Sequence, residues 1–218
     1  SIVILLMVII PLIIIGKIPF ALAIGLISIL AYYEFLRIFK YPKLVILLGF
    51  ISLIVIIYNN FDFNNIISGI NYKYLALSLL LCLIPGVFYQ EKGLYTVKDG
   101  LELFAFIFLL GLGLNSFIVI RSKSLTLFLF TFLIPVFTDT FAYIGGNLIG
   151  KHHFTKISPN KTIEGIIVGS LMTTFIMSMY YFTFINQEKM LIKILIIFIL
   201  TLIAEIGDLF FSAIKREY

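Results

Sequence analysis

Residues 190–214 read MLIKILIIFILTLIAEIGDLFFSAI, and Lys215 and Arg216 follow directly. A helix needs about 20 apolar residues to cross a hydrocarbon core about 30 Å thick, and this run is long enough. Within it Thr201, Glu205, Asp208, Ser212 and then Lys215 are spaced 4, 3, 4 and 3. At about 100° per residue they share a stripe about 80° wide, with Arg216 at its border. Leu202, Ile203, Ile206, Leu209, Phe210 and Ile214 fill the remaining surface with apolar side chains. A charged side chain at the centre of a span costs about 2.5–3.5 kcal/mol on insertion scales. Such a polar face therefore looks into a protein interior or a wet cavity. An ion-pair network that only holds helices together is the plainer alternative. Acid, hydroxyl and base in order toward one membrane surface favour a site.

The rest of the chain has the same character. Of 218 residues, 61% are hydrophobic and 12% charged, against about 45–50% and about 25% in soluble domains. That excludes an ordinary soluble fold, and it excludes disorder, which needs low hydrophobicity and high charge. The expected fold is all-α, a polytopic helical membrane protein with about eight spans. They are placed at 2–16, 19–39, 43–58, 72–90, 101–120, 125–148, 161–185 and 190–214. Residues 1–218 are read as a single integral membrane domain, with N-terminal helices over 1–120 and the site motifs over 121–218. Gly16-Lys17-Ile18-Pro19 reads as a tight turn between two apolar runs. Cys82 stands alone in an apolar run, which excludes an intrachain disulfide and a cysteine metal cluster. The chain opens at Ser1 and shows no signal-peptide pattern.

The net charge of +5 is read as a positive-inside signal rather than as a nucleic-acid footprint. With the first span starting in the cytoplasm, that side receives ten Lys and Arg against six on the other. The basic loop 149–161 is then cytoplasmic, and Arg121-Ser122-Lys123 runs against the rule.

A second polar face lies on the sixth span, where Asp139, Tyr143, Gly146 and Gly150 are spaced 4, 3 and 4. The glycines let another backbone or a ligand approach; taken alone they read as packing, but packing does not need a carboxylate. In the loop that follows, Ser158 and Pro159 read as N-cap and first residue of the seventh span. A helix start there, with Lys161 and Thr162 as further donors, would suit a phosphate. Gly165 and Gly169 form a GxxxG face, most simply a packing face. His152 and His153 are read as loop residues, Glu34 and Arg37 as an i,i+3 ion pair, and Asp99 and Glu102 as interface charges.

Two carboxylates from different helices, near a basic loop and a Lys-Arg pair, suggest a divalent cation with phosphate. Nothing in the sequence supports a nucleophilic triad, a Walker A loop, a Rossmann fingerprint or a zinc site. The residues alone point to a metal-dependent enzyme acting on a phosphorylated lipid at the cytoplasmic interface.

These residues also carry a family resemblance. Asp139-Thr140, Ala142-Tyr143, Gly146 and Gly150-Lys151-His152 resemble one motif of the phosphatidate cytidylyltransferases, or CDP-diacylglycerol synthases. Ser158-Pro159-Asn160-Lys161-Thr162 with Glu164-Gly165 resembles the next. Gly207-Asp208-Leu209, Ser212 and Lys215-Arg216-Glu217 resemble the start of the family signature. The stretch Ala31-Tyr32-Tyr33-Glu34-Phe35 is also similar. Asn147 departs from the family, which often has a basic residue there. The family also continues past the position of Tyr218 with further acidic residues, so the sequence is expected to be truncated at both ends, with the activity of the fragment itself left open.

The resemblance implies that CTP and phosphatidate give CDP-diacylglycerol and pyrophosphate, with Mg²⁺ as cofactor and a second cation left open. It implies Asp208 as a metal ligand and Asp139 as a second ligand or a carboxylate holding the metal's water, and these two with Lys215 and Arg216 as catalytic residues. Lys151, Ser158, Asn160, Lys161, Thr162 and Ser212 would bind the substrates. The expected partners are the substrates and the lipid bilayer, without nucleic acid, and a homodimer is left open. The expected location is the cell (inner) membrane, with the site on the cytoplasmic side. Two alternatives stand beside this reading: a polyprenol-type lipid kinase, and an ion-coupled transporter using Asp139 and Asp208.

Overall fold

The computed structural model describes residues 10–37, 39, 41–59, 71–91, 93–155, 158, 161–185 and 189–217, with the backbone alone for Lys215 and Glu217. Residues 10–15 are helical. Seven longer helices follow among the described residues: α1 (Lys17–Leu36), α2 (Lys43–Ile57), α3 (Tyr72–Tyr89), α4 (Val97–Lys123), α5 (Leu125–Ile149), α6 (Ile163–Phe184) and α7 (Met190–Glu217). Six of them are long and apolar enough to cross a membrane; α2 is apolar but shorter. The architecture is that of a polytopic helical membrane protein, as the composition implies. Of the eight expected spans, most of the first lies outside the described residues.

The chain divides into two compact units, Ser1–Leu125 and Thr126–Tyr218. In the first, α2 packs on α3 and α4, and α1 packs on both α2 and α4. The buried centre is Leu53, Ile56 and Ile57 of α2 with Leu103 and Ile107 of α4. Two polar groups buried here find partners within the protein, as a hydrocarbon surround favours. Ser52 Oγ lies 2.8 Å from both the carbonyl and the hydroxyl of Ser78. Asn115 donates to the Ile57 carbonyl at 2.7 Å, satisfying the end of α2.

The break at Gly16 is narrower than the sequence suggests, because helix resumes at Lys17. Gly16 has φ 69°, a left-handed conformation open to glycine. Arg121 Nε donates to the Ile13 carbonyl at 2.6 Å, and its terminal nitrogen to Ile14 at 2.7 Å. A Cβ on Gly16 would stand 2.7 Å from the guanidinium carbon. Arg121, the exception to the charge rule, thus caps the carbonyl end of the first helical segment. The expected Glu34–Arg37 pair is not among the ion pairs of the described residues; both side chains are exposed.

Asp99 is the third helical residue of a capping box that starts α4. Its Oδ2 accepts from the Thr96 backbone at 2.7 Å, and Thr96 Oγ1 accepts from the Asp99 N–H at 3.3 Å. Losing an N-cap of this kind costs about 1 kcal/mol. Thr96→Ala should therefore lower the thermal unfolding midpoint in detergent by about 2–4 °C. No change would show that the cap is redundant.

In the second unit the core gathers around Phe130 and Ile134 of α5, Met177 of α6 and Ile197 of α7. α5 and α6 meet through small residues. A Cβ on Gly165 would lie 2.6 Å from the Ala142 carbonyl, and one on Gly169 would lie 2.9 Å from that of Thr138. The GxxxG face is a packing face, as its spacing suggests.

Candidate active site

The polar stripe of α7 turns inward. Thr201 and Glu205 are buried, while Leu202, Ile203, Ile206 and Phe210 are exposed, as a lipid-facing surface would be. Glu205 and Asp208 are three residues apart and so lie on one face. Asp139 of α5 comes to the same place, and between them stands Lys161 from the segment just before α6. Lys161 Nζ is 2.6 Å from Glu205 Oε2, 2.8 Å from Asp208 Oδ2 and 3.9 Å from Asp139 Oδ1. The side chains differ sharply in exposure: Glu205 3%, Lys161 16%, Asp208 43% and Asp139 58%. Glu205 Oε1 is buried and has no hydrogen-bond partner among the described residues.

Burial alone would disfavour the Lys161 charge. The hydrogen bonds to Asp208 and Glu205 outweigh it and hold the ammonium above the ordinary lysine pKa. Lys161 is therefore charged across the whole neutral range. Three carboxylates thus surround one ammonium.

The loop before α6 corrects one expectation. Ser158 does not cap the helix, and Pro159 lies outside the described residues. Thr162 is the N-cap, accepting from the Gly165 N–H at 3.1 Å, and α6 begins at Ile163. The reason is backbone pairing. His153 and Thr162 form an antiparallel bridge, with Phe154 N–H donating to the Lys161 carbonyl and Ile163 N–H to that of His152, both at 2.9 Å. That pairing holds 161–162 extended and delays the helix. The expected phosphate site at a Ser158 helix start is thereby removed.

Glu164, in the first turn of α6, ties the same loop down. It accepts from the backbone N–H groups of Lys151 and His152 at 3.1 and 3.2 Å and pairs with His152 Nδ1 at 2.6 Å. An acid at this end of a helix also suits its dipole. Gly146 and Gly150 make room for Thr162, whose Oγ1 would lie 3.0 and 2.7 Å from a Cβ at those positions.

Asp139, Lys161 and Asp208 are thus brought together. Thr162 is committed to its cap, the Lys151 side chain is exposed, and Ser212 is half-buried on the Asp208 side of α7. Ser158 accepts from the Lys161 N–H at 3.1 Å through its carbonyl. Arg216 is exposed; Asn160 and the Lys215 side chain lie outside the described residues. Glu205 belongs to the cluster although only its place in the stripe marks it in sequence.

The donor set fits a hard divalent cation. Asp139 and Asp208 present carboxylate oxygens to one shared positive group, and Mg²⁺ is usually held by one or two carboxylates plus substrate phosphates. Among the described residues no group of three or more His, Cys, Asp or Glu is placed to enclose a metal by itself.

Comparison with known proteins places these residues in context. The chain is 35% identical to a phosphatidate cytidylyltransferase of Staphylococcus haemolyticus (strain JCSC1435) over 130 residues, 59% of this chain and 50% of that protein. It is 34% identical to the enzymes of that name from Staphylococcus aureus (strain COL), over 130 residues, and Staphylococcus epidermidis (strain RP62A), over 132 residues, with the same coverage. The chain spans about half the length of the curated relatives it matches. No solved structure matches it. The Cytidylyltransferase family pattern matches residues 1–218 from end to end, and the chain belongs to that family.

Proposed function

We propose that the intact protein transfers the cytidylyl group of CTP to phosphatidate, giving CDP-diacylglycerol and pyrophosphate. The observation that carries this reading is the convergence of Asp139, Asp208 and Glu205 on Lys161 within a helical membrane protein of this family. Relatives at about a third identity bear the name of that activity.

In this scheme a phosphate oxygen of phosphatidate forms a bond to the α-phosphorus of CTP. The bond from that phosphorus to the bridging oxygen of the β-phosphate breaks, and pyrophosphate departs. Positioning and charge neutralisation carry the reaction, so no protein nucleophile is needed. Lys161, Lys215 and Arg216 neutralise phosphate charge, with Lys151, Ser158, Asn160 and Ser212 as further donors. Thr162, its hydroxyl bound to Gly165, serves by setting the position of its neighbour Lys161. Asp208 and Asp139 would hold Mg²⁺, which when bound would neutralise charge at the reacting phosphates. The site faces the cytoplasm across the basic loop 149–161, in the cell (inner) membrane.

The test uses intact protein in vesicles containing phosphatidate. Label in the α-phosphate of CTP should appear in lipid, and label in the γ-phosphate should appear in pyrophosphate. A chelator should abolish both, and added Mg²⁺ should restore them. Transfer of the γ-label to lipid would show a kinase and overturn the reading. Nucleotide-independent ion flux without either transfer would show a transporter.

A further inference from the structure

The three acids around Lys161 are not equivalent. Glu205 is the deepest and makes the shortest contact, while Asp208 and Asp139 reach the same ammonium from half-exposed and exposed positions. A buried carboxylate without a partner is costly, whereas an exposed one is satisfied by water or a ligand. The Glu205–Lys161 pair is therefore the one that must persist, and the Asp208 contact is the one that can be exchanged. Lys161 also needs such an anchor. Its backbone is pinned by the bonds to Ser158 and Phe154, but a lysine head rides on a flexible four-carbon stem.

We propose that Glu205 is a positioning residue: it fixes the Lys161 ammonium in the site so that Asp208 and Asp139 are free to turn to a ligand. The role rests on the reading of this cluster as a phosphate and metal site. It also gives a reason for an acid one turn below Asp208 in a region where every buried charge carries a cost.

Two measurements on the intact protein test it. The first is a thermal unfolding cycle in detergent with Lys161→Met, Glu205→Leu and the double variant, which needs no activity. Each single change should lower the midpoint by about ten degrees, because it strands a buried charge. The double variant should fall no further than either single one. Asp208→Asn combined with Lys161→Met should show far weaker coupling. Additive losses for Lys161 and Glu205 would overturn the anchor.

The second measurement is kinetic. Glu205→Asp keeps the charge but withdraws it by one methylene. It should leave the midpoint within a few degrees of the parent and lower kcat about a hundredfold, with little change in KM for CTP. Full kcat in that variant would overturn the positioning role. A parent protein that makes no CDP-diacylglycerol would instead refute the proposed function, and the unfolding cycle would still decide the anchor.

Discussion

Asp208→Asn in the intact protein should reduce CTP-dependent product formation by about a thousandfold while the protein still reaches the membrane in normal amount. The change keeps shape and one carbonyl oxygen. Lys161 therefore retains an acceptor there and keeps its 2.6 Å contact with Glu205. What is lost is a half-exposed negative charge beside two other carboxylates. Because Asp208 is well solvated, its ion pair adds little stability, and removing it also relieves repulsion with Asp139 and Glu205. A folded but inactive protein is the expected outcome. Labelled-CTP incorporation checks the activity, and quantification in the membrane fraction checks insertion. Turnover near that of the parent would sink the assignment of Asp208 as a metal-holding residue.

The second large effect is steric. Gly165→Ala should destabilise the protein by about 2–3 kcal/mol, the scale of overpacking a tight contact. The added Cβ would meet the Ala142 carbonyl at 2.6 Å, Thr162 Oγ1 at 2.9 Å and Gly146 Cα at 3.1 Å. Two of these three neighbours are backbone, which cannot swing aside as a flexible side chain can. α6 would have to move away from α5, and the Thr162 cap would be disturbed with it. The unfolding midpoint should drop by roughly 5–10 °C. Gly113→Ala supplies the contrast. A Cβ at Gly113 in α4 meets nothing within 4 Å, so replacing a helical glycine there should stabilise by a few tenths to about 1 kcal/mol. Equal behaviour of the two variants would disprove the packing account.

Features that depend on local periodicity were readable from sequence. The α7 stripe stood out because five polar residues at helical spacing are conspicuous among Ile, Leu and Phe, and burial of Thr201 and Glu205 follows that phase. The start of α6 was misread because a local signal lost to a distant one. Ser158-Pro159 is a good helix opening by itself, but the pairing of 152–154 with 161–163 claims the backbone first. Lys161 was recognised as a donor, yet its carboxylate partners lie 44 and 47 residues later and 22 earlier in the chain. No pattern within one segment reveals such a meeting. Glu164 was visible only as part of a motif; its grip on the Lys151 and His152 amides needs three dimensions.

The Arg121 contact with residues 13 and 14 also bears on how the chain is made. Its donor and acceptor are 108 residues apart in sequence. Domains assemble while the ribosome adds about 5–20 residues per second, so those residues take roughly 5–20 s to appear. The carbonyls ending the first helical segment must wait that long for their guanidinium, until the end of α4 has emerged. That one contact cannot form before nearly all of the first unit has been synthesised.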